Sequence, residues 1–274
     1  MLHPQQPKKL ARRESILLAV MLAAGLASLG QLVLFAEDNS FLDGICAALG
    51  THDLAPEPRA MRLFRWASTY DHDVPPTDPA AASLAHDLRT PRTIVEHPAY
   101  FRADCGSKAR LLAALAGRAG LKARELRLCD STHITRHVVC EVWLGGRWAV
   151  FDPTIGLDFR RRDGRLATAA ELRDRALLAA NAARAPRYDP RRWRFDHAER
   201  LHFEKLPLLG GLLRRLAPCL TGRPAEELAL PIVFDRPRLI TAGSCAALSL
   251  LALVAAGGSV YRRRKPEHLN PLVD

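Results

Sequence analysis

The sequence predicts an α+β domain carried between two membrane-spanning helices, and three observations lead there. Two stretches without a charged residue, Ser15–Ala36 and Leu239–Val260, are each long enough to cross a bilayer core, for which roughly 20 apolar residues suffice. Between them, an amphipathic helical pattern that opens at Cys105 is followed by three strand-like runs, 123–129, 136–144 and 147–152. The composition, 48% apolar and 25% charged in 274 residues, is that of a chain that builds a core, which sets generic disorder aside.

The ends come first. Lys8, Lys9, Arg12 and Arg13 precede the first apolar run, and Arg262, Arg263, Arg264 and Lys265 follow the second. By the positive-inside rule both tails, 1–14 and 261–274, are expected in the cytoplasm, with helices over 15–36 and 239–260 and an extracytoplasmic domain over 37–238. The first run exceeds the roughly 7–15 residues of a signal-peptide core and no convincing A-x-A site follows, so it is read as an anchor of the inner membrane rather than a cleaved leader. Small residues in the second run would also suit a buried core helix, but its length and basic flank favour a span. The formal charge of +11 is mostly arginine, and a large outward-facing loop makes nucleic acid an unlikely partner class.

Within the central part, prolines at 56, 58, 75, 76, 79 and 91 break the first third into short helices and loops. Asp71 and Asp73 read as turn acids. Arg59–Tyr70 has the spacing of an amphipathic helix, with Trp66 on its apolar side. In CGSKARLLAALAGRAG, residues 105, 109, 112 and 116 share one face, 111, 115 and 119 lie beside it, and Gly117 and Gly120 mark the end. Gly145-Gly146 between the second and third strand runs predicts a tight hairpin. Beyond Pro153 the chain turns helical and Arg-rich over 169–185, and 205–218 reads as amphipathic, lying along either a membrane or a core.

A two-residue turn opposes Leu144 to Arg147, so His137, Val139, Glu141, Trp143, Trp148, Val150 and Asp152 share one sheet face. Asp152 then lies diagonal to His137, at a Cα spacing of roughly 7–8 Å, within reach for a carboxylate to fix the imidazole tautomer. Cys105 opens its helix, at the positive end of the macrodipole and beside unpaired backbone N–H groups. There a sulfur anion and an attacked carbonyl oxygen are both stabilised. Packing this helix on the His137 face would unite thiol, imidazole and carboxylate as nucleophile, general base and orienter.

DCGSKARLLAALAGRAGLKARELRL followed by HVVCEVWLGGRWAVFDPT resembles the core of the transglutaminase-like superfamily, within the papain-like cysteine-enzyme fold, over about 99 to 160. In that family a Cys starts a helix, a His lies on the next-but-one strand and an Asp ends the following strand before Pro. The matching positions are Cys105, His137 and Asp152. The resemblance implies a papain/transglutaminase-like core, a nucleophile helix on an antiparallel sheet, and acyl transfer or hydrolysis at an amide or peptide through a thioester; the chain has no calcium-loop signature, so no cofactor and no metal is expected. It departs from the family at Ala103, where a Gly is frequent. The papain-type oxyanion Gln is also lacking, since Gln5, Gln6 and Gln31 all lie outside the soluble part. Trp66 is the upstream oxyanion candidate, with Tyr70 and Tyr100 as substitutes.

Other readings stay open. Cys129, His133, His137 and Cys140 have ligand types that suit zinc. Cys129 with Cys140, and Cys46 with Cys219, could be disulfides in an oxidising compartment. The arginine runs 160–162 and 191–194 read as solvated surface, or as contacts to anionic headgroups or an acidic polymer. For function, the rival of a membrane-anchored enzyme on a peptide or amide-bearing envelope substrate is a non-catalytic binding or assembly module on the same fold.

Overall fold

Helix α1 (Gln6–Ala48) carries the first charge-free run and does not stop at its end but continues through Glu37 and Asp38 to Ala48. The sequence reading ended this span at residue 36. The difference lies in the last turns, where Leu42 and Cys46 are buried in the domain core with Phe41 and Ile45 packed against it. Tertiary packing carries the helix past the apolar run. The structure, a computed structural model, describes residues 6–70, 90–101, 104–200, 215–216, 219 and 237–264. It divides into two compact units: the chain ends up to Glu37 and from Arg236, and the stretch Asp38–Asp235.

In the first unit α1 lies antiparallel to the last helix, Pro237–Arg264. The Ser28 hydroxyl donates to the Ala242 carbonyl at 2.9 Å and the Ser249 hydroxyl to the Met21 carbonyl at 3.0 Å. Gly25 lies at this contact, where a Cβ would stand an ordinary van der Waals distance, 3.7 Å, from the Ser249 oxygen. Ser15–Ala48 and Arg238–Gly258 are both long and apolar enough to cross a membrane. Leu26 and Leu251 are 70% and 67% exposed, an arrangement that forfeits roughly 25 cal/mol per Å² of apolar surface in water and nothing in lipid.

The second unit mixes helices with an antiparallel sheet. Its elements are α2 (Pro56–Thr69), α3 (Pro91–Glu96), α4 (Pro98–Phe101), α5 (Cys105–Arg118), β1 (Ala123–Cys129), β2 (Thr135–Leu144), β3 (Arg147–Asp152), β4 (Leu157–Asp158), a 3₁₀ turn (Glu171–Arg173), α6 (Arg175–Ala182) and β5 (Ala198–Glu199). The strands are ordered β4-β3-β2-β1-β5. Pro56 and Pro91 sit in first helical turns, where a missing N–H costs nothing, and the Thr90 hydroxyl caps α3 by accepting from the Thr93 N–H. Gly145 and Gly146 both have positive φ, 54° and 82°, as a type I′ hairpin turn demands. The β2–β3 register follows, from Leu144 opposite Arg147 to Cys140 opposite Phe151.

The sheet is a middle layer. On one face Val138, Cys140, Val142 and Phe151 pack with Leu111, Leu112 and Leu115 of α5, with α2 and with the end of α1. On the other, Leu126, Val139 and Val150 pack with Phe159, Leu177, Leu178 and Phe195. This corrects the expectation that α5 covers the His137 face, for it covers the opposite one. The strand pattern left the choice open, because β2 is buried on both faces and carries apolar residues at consecutive positions 138 to 140. Asp71, Asp73 and all but Arg215 and Leu216 of the amphipathic 205–218 run lie outside the described residues.

Candidate active site

Although α5 lies on the far face, chain direction brings its start to His137. A short turn joins α5 to β1, and β1, β2 and β3 alternate in direction. The beginning of α5, the beginning of β2 and the end of β3 therefore lie at one end of the sheet. Cys105, His137 and Asp152 meet at that end, not across a face.

His137 Nε2 and Asp152 Oδ2 are 2.6 Å apart, and both residues are buried. The other carboxylate oxygen accepts from the Thr154 N–H at 3.0 Å, so the acid is held from two sides. With Nε2 engaged, Nδ1 is the ring nitrogen left to face the Cys105 thiol, which lies near enough to raise the imidazole pKa. Burial, the largest single influence, disfavours the imidazolium. The hydrogen bonds and charges of Asp152 and Cys105 together outweigh it and push the His137 pKa up to about 9.

The local sequence fixes the thiol. Asp104 is the N-cap of α5: one carboxylate oxygen accepts from the Gly106 N–H at 3.0 Å and the other from the Ser107 hydroxyl at 2.8 Å. As the first helical residue, Cys105 has no carbonyl one turn back in its own helix to take its N–H, which leaves that donor beside the sulfur. One turn on, Lys108 is 1% exposed; its ammonium donates to the Ala67 carbonyl at 3.1 Å and sits 4.6 Å from the Tyr70 ring centre. It ties the start of α5 to the end of α2. The sequence gives a buried lysine no signal beyond its position on the helical stripe.

Trp193 falls in an arginine run that the sequence marks as surface, yet its ring stacks on His137 with 4.2 Å between centroids. Tyr188 and Phe195, close by in sequence, are the available signal, since such aromatic spacing marks a packed loop rather than a solvated one. Trp66 stacks on Tyr70 at 4.9 Å and packs partly buried against the core. Among the described residues it makes no hydrogen bond or ring contact with the three.

The zinc-type set does not converge. His133 bonds Glu199 at 2.6 Å, His137 bonds Asp152, and Cys140 faces the α5 layer, away from His137. The disulfide expectations are also corrected, for all six cysteines are free. Cys129 lies opposite Thr135 beyond a bulge and Cys140 opposite Glu125, so the two are not a cross-strand pair, while the Cys46 sulfur contacts the Leu115 carbonyl. Comparison with protein-family models, curated proteins and solved structures gives no match.

Proposed function

We propose that this chain is a membrane-anchored cysteine enzyme of transglutaminase-like type, acting on an amide or peptide bond. The observation that carries the reading is His137 bonded through Nε2 to the buried Asp152, with the Cys105 thiol near enough to raise the imidazole pKa. In the first step the Cys105 sulfur forms a bond to the carbonyl carbon, the C–N bond breaks, and His137 gives its proton to the leaving amine. In the second, His137 takes a proton from water or an amine, which attacks the thioester and releases the sulfur. The acyl group leaves as an acid or a new amide. The Cys105 N–H is the oxyanion donor in this scheme, and Trp66 is retained as a second candidate.

Two spans with basic flanks at the outer ends of both support a domain outside the inner membrane and a substrate in the envelope. The antiparallel pairing of α1 with the last helix agrees with both tails lying on one side. One observation favours the rival reading, a binding module: His137 is only 2% exposed, which leaves little of the imidazole open to a substrate. An activated acyl ester separates the two. An enzyme accumulates an acyl adduct on Cys105, seen by mass spectrometry of intact protein and absent in Cys105→Ser, whereas a binder takes up no acyl group.

A further inference from the structure

Beside α6, the 3₁₀ turn before it and the loop 190–196 enclose a cavity of about 290 Å³. Leu178 and Phe195, both buried, line it, and Arg173, Arg175, Arg191 and Arg194 surround them. Among the described residues the only carboxylate in the lining is Asp196, and Arg194 is paired with it. Arg173, Arg175 and Arg191 have no carboxylate partner among the described residues.

Six other guanidinium groups of the same domain are matched to shared acids. Arg160 and Arg184 share Asp158, Arg147 and Arg161 share Glu171, and Arg124 and Arg200 share Glu141. Gathering unmatched arginines around one concavity raises the local potential, a cost that a bound anion removes. The planar fork of arginine fits phosphate and carboxylate oxygens two at a time, and the Leu178–Phe195 lining offers an apolar surface that water fills poorly.

We infer that this cavity binds a compact organic anion: one or two phosphate or carboxylate groups on a small apolar or aromatic frame. Its volume lies at the lower end of ligand pockets, which are roughly 300–1,000 Å³, so the frame is about one ring in size. The site is separate from Cys105 and stands whether or not the thiol is catalytic.

The test is calorimetric titration of the full chain, in discs of zwitterionic lipid, with phenyl phosphate. Saturable one-to-one binding is expected, with phenol and inorganic phosphate each at least about tenfold weaker because each lacks half of the recognition. Arg173→Ala and Arg191→Ala should each weaken phenyl phosphate about tenfold; both side chains are exposed, so an unchanged melting temperature is expected and checks the fold. Repeating the titration in phosphatidylglycerol discs identifies the source of the anion. Weakened binding there supports the site with a lipid headgroup as occupant, and unchanged binding supports it with a soluble one. Non-saturable binding, or equal affinity in wild type and both variants, overturns the inference.

Discussion

The imidazole of His137 lies flat against the indole of Trp193, with 14° between the ring planes. The His137–Asp152 hydrogen bond is therefore shielded on one side by an aromatic wall. Tyr188 steadies that wall, its hydroxyl donating to the Trp193 carbonyl at 2.5 Å. Burial, with Asp152 and Asp189 nearby, raises the Tyr188 pKa, so the phenol keeps its proton as a donor.

Trp193→Ala should slow alkylation of Cys105 by iodoacetamide about tenfold, because a cation stacked on a desolvated indole gains about 1–2 kcal/mol. Trp193→Phe should recover most of the rate. Equal rates in all three proteins would mean that the stack is packing alone.

Asp152→Asn removes the charge that most supports the imidazolium. In the wild type, the alkaline limb of the Cys105 alkylation profile is expected near pH 9, where His137 loses its proton. In Asp152→Asn the limb should move to lower pH, and a limb in the same place would contradict the pairing. Stability follows with the same sign. The folded pKa lies above the ordinary 6.5, so the contribution of His137 is complete below that value and fades as pH rises through about 9. The melting temperature should fall over that interval in the wild type, and His137→Ala should flatten the fall.

Unfolded protein prepared without reductant should react with six equivalents of a thiol reagent, one for each free cysteine. Four equivalents would mean that a disulfide forms after all.

Leu112→Ala should cost about 2–5 kcal/mol in urea unfolding, since Leu112 is wholly enclosed between α5 and the sheet. A loss under about 1 kcal/mol would show that α5 does not pack on that face.

Local rules wrote much of this domain into the chain. Gly145-Gly146 set the turn, the turn set the register, and the register set the diagonal between His137 and Asp152. Asp104 and the stripe through Ala109, Leu112 and Ala116 set the start and the buried side of α5. What stayed hidden is tertiary. Which face α5 covers depends on the later layer of Phe159, α6 and Phe195 occupying the other face, and a strand apolar on both sides does not choose. Trp193 comes to His137 from 56 positions away in a loop with no periodicity. The last turns of α1 are helical through the burial of Leu42 and Cys46 rather than through the apolar run that precedes them.

The central claim is that His137 and Asp152 activate the sulfur of Cys105. The most direct measurement is the second-order rate of a mild electrophile at each cysteine of the native protein near neutral pH. Cys105, only half-buried, should react faster than the exposed Cys219, and His137→Ala should erase the difference. If Cys105 reacts more slowly than Cys219, or keeps its lead without His137, the thiol is not activated and the enzymatic reading is wrong.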